Sequence, residues 1–213
     1  MADINRAEAS DPEFVDRRQE IRVVVRIPGR FSLASRRDIN GNRRQYACRA
    51  VNISPIYMVL ATPVNGPIGE RVIAYFEELG KFQGRIIRIM SGGFVIRVAA
   101  TDHERDKFVR KLIWLEQNKN SEAPEVRMHK RIVPEDPLST LIFSDGSMMG
   151  CFVIDMSASG AAVSADIVPE IGTAVVVGKV PGTVLRHLTE GFAIKFNELQ
   201  NPRVIEQLVI HKC

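Results

Sequence analysis

The chain is poor in the residues that carry most metal and redox chemistry. Its three cysteines, Cys48, Cys151 and Cys213, form no CxxC pair, so a dithiol redox motif or a zinc ribbon is not expected. Cys48 and Cys151 read as small buried strand residues and Cys213 as an incidental terminal thiol. The four histidines, His103, His129, His187 and His211, are scattered without metal-ligand spacing, and no metal or other cofactor is expected. Aromatic residues make up only 7% of the chain, which leaves few platforms for stacking the bases of a single strand. No apolar run approaches the roughly 20 residues a membrane-spanning helix needs. The opening segment MADINRAEASDPEF lacks the apolar core of a secretory signal, so a cytoplasmic location is expected. No nucleophile–base pair, phosphate-binding glycine loop or serine elbow is present, and an enzyme is not expected.

What is present is ordinary material for a globular protein: 213 residues, 45% hydrophobic and 25% charged. That is enough for two modest cores. The net charge of +4 is compatible with an anionic partner, whether nucleic acid, acidic protein, lipid surface or phosphorylated small molecule. Composition does not choose among them.

The chain repeats itself, and this organises every later reading. CRAVNIS (Cys48 to Ser54) and CFVIDMS (Cys151 to Ser157) align at an offset of 103, which also carries Ile68-Gly69 onto Ile171-Gly172. Further along the offset falls to 98, where GFVIRV (Gly93 to Val98) meets GFAIKF (Gly191 to Phe196). Before the repeat, Arg18 and Arg22 match Arg127 and Arg131 at an offset of 109. The changes fall where turns are expected, around Asn40-Gly41, Asp145-Gly146 and Glu78–Lys81, which is where insertions are tolerated. One unit of roughly 90 to 100 residues is therefore used twice. The expected organisation is a disordered tail over 1–15, a first unit over 16–119, a linker over 120–126 and a second unit over 127–213.

Within each unit the pattern is β. Ile21–Ile27, Gln45–Ile53, Met58–Thr62, Arg71–Glu77, Phe82–Met90 and Phe94–Ala99 are short, rich in β-branched and aromatic residues and bounded by Gly, Pro and Asn. Six strands at regular spacing predict a small antiparallel barrel without a long open edge. A helix follows each barrel: Asp102 to Lys119, with Phe108, Leu112 and Leu115 on one face and Asp102 as the N-cap, and then NPRVIEQLVIHK, capped by Asn201. Trp114 is expected in core or inter-domain packing. The Arg36-Arg37 and Arg43-Arg44 pairs are expected at a solvated hairpin tip.

Two features lie outside the packing pattern. One is an RxxxR pair ahead of each barrel: Arg18 and Arg22, then Arg127 and Arg131. The other is a [DN]xSxxG-like segment at a strand end: Asp155, Ser157 and Gly160 in DMSASG, with Asn52, Ser54 and Tyr57 as the counterparts in NISPIY. Guanidinium forks clamp phosphate oxygens and stack on purines. An aspartate accepts from the N–H edge of a guanine, a serine adds a short polar contact, and a glycine lets backbone approach closely. Taken singly, each feature has a plain alternative: solvated arginines, an Asx or Ser turn, a turn glycine.

Together, RxxxR followed by [DN]xSxxG in a six-stranded barrel resembles the PilZ domain family. That resemblance is strong over about 127–210 and weaker over 16–118. It implies a tandem PilZ fold, mainly β, whose ligand is cyclic diguanylate (c-di-GMP), with Arg127 and Arg131 on phosphate and guanine, Asp155 and Ser157 on the guanine edge and Gly160 making room. Arg186 and Lys195 are further residues that could face the ligand. The first unit would hold a secondary site at Arg18, Arg22, Asn52 and Ser54, but Tyr57 stands at its glycine position and is expected to block it. The resemblance implies a receptor that signals to a protein partner in motility, exopolysaccharide or biofilm control. A basic barrel that binds nucleic acid, and a protein-interaction module with no ligand, are the competing readings; charge interleaving and the few aromatics speak against nucleic acid.

Overall fold

The computed structural model describes residues 23–117 and 131–210. The first six strands are β1 (Val23–Leu33), β2 (Tyr46–Ile53), β3 (Tyr57–Ala61), β4 (Arg71–Phe76), β5 (Gly80–Met90) and β6 (Gly93–Val98). They close into a barrel in the order β1-β2-β3-β6-β5-β4. The next six are β7 (Leu138–Phe143), β8 (Met148–Ser157), β9 (Gly160–Ser164), β10 (Ala174–Val177), β11 (Val180–Leu188) and β12 (Gly191–Phe196). These close in the equivalent order β7-β8-β9-β12-β11-β10. Helix α1 (Asp102–Gln117) follows the first barrel and the short α2 (Ile205–Val209) the second. The fold is mainly β, two closed six-stranded antiparallel barrels with a helix after each.

The barrels close because each strand offers one apolar face. Along β1 the alternation places Val23, Val25, Ile27, Phe31 and Leu33 inward while Val24 and Arg26 face out. Phe31 meets Tyr46 and Phe94 at ring-centroid separations of 5.5 and 5.3 Å. Truncating such a fully buried ring costs about 3–5 kcal/mol. β1 runs past the expected Ile27 to Leu33. Gly29 makes this possible, since a Cβ there would stand 2.3 Å from the Phe76 ring. The second barrel has its own core, built on Leu141, Val153, Val163, Val184, Phe192 and Ile194.

Irregularities recur at matched places. β2 bulges against β3 between Ala50 and Asn52, and β8 against β9 between Val153 and Asp155. A second pair of bulges lies between Ile86 and Arg88 and between Val184 and Arg186. A bulge bends its strand and re-aims the neighbouring side chain. Both barrels thus redirect Asn52 or Asp155 by the same device.

The helices depart from expectation in their caps. Thr101, not Asp102, holds the N-cap of α1: its N–H and hydroxyl donate to Glu104 at 2.8 Å each, and its hydroxyl accepts the Glu104 N–H at 3.4 Å. This is a T-x-x-E capping box. Phe108 stacks against Phe82 at 4.8 Å and Leu112 is buried, whereas Trp114 is 58% exposed and outside the core. α2 is only one turn long. Asn201 starts the turn that leads into it: its side-chain Oδ1 accepts the N–H of Arg203 at 2.9 Å, and its carbonyl accepts from the N–H groups of Val204 and Ile205. Ile205 and Val209 seal the second barrel.

The barrels contact each other where β2 meets β8 and β9, with unlike chemistry on the two sides. Arg44 donates to the carbonyls of Ala165 (2.9 Å) and Asp166 (3.1 Å), and Tyr46 donates its hydroxyl to Asp166 at 2.9 Å. Arg36 pairs with the same carboxylate at 3.1 Å. Arg49, 4% exposed, donates to the carbonyls of Pro134 and Glu135 at 3.0 and 2.9 Å and lies over the Phe152 ring. The first barrel supplies donors and the second acceptors. Arg36 and Arg44 therefore do not sit at a freely solvated hairpin tip: Asp166 draws both into the interface.

Candidate functional site

The segment entering the second barrel is pinned beside the end of β8. Ile132 exchanges backbone hydrogen bonds with Met156, N–H to O at 2.7 Å and 2.9 Å in return. This clip brings Arg131 next to the bulge that turns Asp155 outward. The guanidinium meets the Asp155 carboxylate through Nη1–Oδ2 at 2.7 Å, with the two side chains 38% and 21% exposed. Such a partly solvated pair adds at most about 1 kcal/mol to stability. Its larger effect is positional, because it fixes one guanidinium edge and leaves the other donors pointing to solvent.

Arg131, Asp155, Ser157 and Gly160 line one groove of about 420 Å³. Arg186 and Lys195, on β11 and β12, line it too, as do Ser159, Ala162, Leu185 and Glu190. The groove therefore carries three cationic side chains, two carboxylates, two hydroxyls and apolar patches, dimensions and chemistry suited to a small ligand. The Ser157 hydroxyl is held lightly, 3.3 Å from that of Ser159 and 3.5 Å from the Gly160 carbonyl. Arg127 lies outside the described residues, as do Arg18 and Arg22.

Gly160 has a structural reason of its own. Its φ is not positive, and a Cβ there would stand 2.3 Å from the Ile194 carbonyl oxygen. The bare backbone is needed for β9 to approach β12, in register Gly160↔Lys195. That same closeness keeps the groove floor low.

The first barrel uses the corresponding residues differently. Ser54 is 3% exposed, and its hydroxyl accepts the N–H of Tyr57 at 2.9 Å and of Ile56 at 3.4 Å. It is absorbed in a turn that Pro55 helps set. Asn52 is half-buried, and Tyr57 stands opposite Arg97 where Gly160 stands opposite Lys195.

Ser159, Leu185 and Glu190 were not singled out by the sequence. Ser159 sits inside the DMSASG segment, and Leu185 flanks the bulge at Arg186, so position relative to the motif was the available signal. Glu190, in the turn before β12, had none. Cys48 and Cys151 are buried as read, and burial pushes the Cys151 thiol up to about 12. No cluster of three His, Cys, Asp or Glu residues able to hold a metal occurs among the described residues. No helix among them is long and apolar enough to cross a membrane.

Neither a protein-family model nor a curated relative matches the sequence. Among solved structures the chain is similar to the PlzA protein of Borreliella burgdorferi in complex with c-di-GMP, at 13% identity over 91% of this chain and 93% of that one, TM-score 0.30. It is also similar to the Bacillus subtilis inhibitor of motility, MotI/DgrA, at 13% identity over 88% and 94%, TM-score 0.29. A third is YcgR from Escherichia coli in complex with c-di-GMP, at 14% identity over 85% and 80%, TM-score 0.25.

Proposed function

We propose that the second barrel is a PilZ-type receptor for cyclic diguanylate and that the chain is a non-enzymatic effector of that messenger. The observation that carries this reading is the groove shared by Arg131, Asp155, Ser157 and Gly160, which Arg186 and Lys195 line as well. Asp155 holds Arg131 through Oδ2, so its other oxygen is left to accept from the N1 and N2 donors of a guanine. Arg131 and Arg127 clamp phosphate oxygens and stack on the base. Ser157 supplies a short polar contact, and the low floor at Gly160 admits the ring.

The units follow the repeat: 16–119 and 127–213, with a tail over 1–15 and a linker over 120–126. The first barrel works as an interaction module rather than a second receptor. Signal passes through the strand-like segment after Arg131, whose carbonyls at Pro134 and Glu135 receive the buried Arg49 of the first barrel. Ligand that repositions Arg131 shifts this segment and the surface offered to a protein partner in the cytoplasm. Motility, exopolysaccharide synthesis and biofilm formation are the outputs the family resemblance brings.

Isothermal calorimetry of the full chain against cyclic diguanylate tests the reading. Saturable heat is expected, with Arg131→Ala weakening affinity by about 30- to 700-fold, equivalent to roughly 2–4 kcal/mol. No saturation with the intact protein would remove the proposal.

A further inference from the structure

Each barrel has a helix after its last strand, but the two helices meet the barrel end differently. At the second barrel, α2 lies close on the turn between β10 and β11. There the Lys179 N–H donates to the Leu208 carbonyl at 2.9 Å, and a Cβ on Gly178 would stand 2.4 Å from the Val209 carbonyl oxygen. At the first barrel the longer α1 rests on bulky side chains instead, with Phe108 against Phe82 at 4.8 Å and Leu112 buried. The rings act as spacers between helix and strands. A cleft of about 480 Å³ opens between α1, the start of β5 and the end of β6.

Leu79, Phe82, Val98 and Phe108 give this cleft an apolar floor, and Phe82 is only half-buried. Its rim is cationic. Lys107 and Lys111 are four residues apart and so share one side of α1, and Lys81 reaches the cleft from β5. All three lysines are exposed, and none pairs with a carboxylate among the described residues. Glu104 is the one carboxylate among the described lining residues, and Thr101 already engages it through its N–H and hydroxyl, at 2.8 Å each. A lysine stem can lie along apolar surface while its ammonium stays in water. Such a rim places positive charge at the mouth of an apolar space without filling it.

We propose that this cleft is a second, distinct ligand site, for a small amphipathic carboxylate: a free fatty acid of medium chain length. Its chain lies on the Phe82 and Phe108 floor and its head group meets the lysines. The volume falls within the roughly 300–1,000 Å³ of small-molecule sites, and an apolar lining with a few polar groups is their usual composition. A nucleotide base would call for hydrogen-bonding partners that the four floor side chains lack. A bilayer would call for a broad open face, not a cleft between helix and barrel. The proposal stands apart from the cyclic diguanylate reading, since it uses the other barrel and none of that groove's residues.

The test titrates decanoate into the full chain by isothermal calorimetry. Saturation near one equivalent is expected, and octanoate should bind more weakly by about fourfold per methylene lost. Octanol, which keeps the chain but not the charge, should bind about tenfold more weakly than octanoate. Lys107→Gln/Lys111→Gln should weaken decanoate binding by about tenfold. The charge-matched control Arg43→Gln/Arg110→Gln, outside the cleft, should bind as the native chain does. Circular dichroism melts should show both variants folded; should the lysine variant not fold, the octanol comparison on the native chain decides. Cyclic diguanylate should bind both variants as it binds the native chain, so failure of either ligand leaves the other reading standing. The proposal is overturned by absence of saturable decanoate binding, by equal affinity in the two double variants, by octanol binding as tightly as octanoate, or by association seen only with phospholipid vesicles.

Discussion

The first and second barrels share a strand order, two bulges and a turn at the same place, yet they use the end of the bulged strand differently, and in the second it opens on a polar groove. The difference comes from a few residues. At the bulge, Asp155 faces out and grips Arg131, while its counterpart Asn52 has no such partner among the hydrogen bonds of the described residues. Ser157 leaves its hydroxyl near the groove, while Ser54 spends its own on the N–H groups of a Pro-containing turn. Gly160 lets β9 lie close to β12, where Tyr57 sets a half-buried ring opposite Arg97. Local hydrogen-bond capture can thus give two copies of one scaffold different surfaces without any change of topology.

The sharpest way to break this comparison is to remove the polar side chain at the bulge from each barrel in turn. Asp155→Ala frees Arg131 and takes away the guanine acceptor, so affinity for cyclic diguanylate should fall by about 100-fold, close to 3 kcal/mol. The urea midpoint should move little, since an exposed pair is worth under about 1 kcal/mol. Asn52→Ala should leave affinity where it was. Equal losses in calorimetry for the two variants would mean that both barrels bind.

Gly160→Ala is the next largest effect, and it acts on the fold. Its Cβ would press on the Ile194 carbonyl oxygen, and backbone displacement of this kind costs about 2–3 kcal/mol. Tyr57→Ala, at the matched place, only trims a half-buried ring and should cost clearly less. Chemical denaturation followed by circular dichroism gives both values, and a harmless Gly160→Ala would show that β9 and β12 tolerate more separation.

A third substitution probes the seam between the barrels. Arg49→Ala strips one hydrogen bond from the buried carbonyl of Pro134 and one from the partly buried carbonyl of Glu135, and leaving them unpaired should cost about 2 kcal/mol. At the matched position of the second barrel stands Phe152, which Arg49 overlies. An unaltered denaturation midpoint would indicate that the seam is solvated and carries no coupling.

Much of the architecture was legible in the sequence because it depends on short-range rules. Period-two alternation, turn glycines and repeated anchors such as GFVIRV and GFAIKF led to twelve strands and two barrels. Two of the misses have one cause, tertiary partners far along the chain. Arg36 and Arg44 read as solvated until Asp166, more than 120 residues away from Arg44, drew them into the seam. β1 extended to Leu33 because Gly29 fits beneath Phe76. The groove residues were readable where a motif fixed their types, at Arg131, Asp155, Ser157 and Gly160. Glu190 was not, since a lone carboxylate in a turn has no pattern until the barrel closes. The rim of Lys81, Lys107 and Lys111 was equally hidden, because only the packing of α1 on β5 brings the three to one cleft.

The smallest expected effect concerns Tyr46, whose position in the second barrel is taken by Met149. Burial first, then the hydrogen bond donated to Asp166, pushes the Tyr46 hydroxyl up to about 12 from its usual 10.0. The neutral phenol is thus favoured in the folded chain, so this contribution is complete below pH 10 and is lost as pH rises toward 12. Tyr46→Phe should cost about 1 kcal/mol at neutral pH, the worth of one hydrogen bond. It also removes the titration, and at about 1.4 kcal/mol per pKa unit the native chain should lose more stability than the variant across that alkaline range. The two stability curves, measured by urea denaturation from pH 7 to 12, should therefore converge above pH 10 and cross before pH 12. Parallel curves would mean that the phenol already ionises in the folded seam, and that Asp166 is held by Arg36 and Arg44 alone.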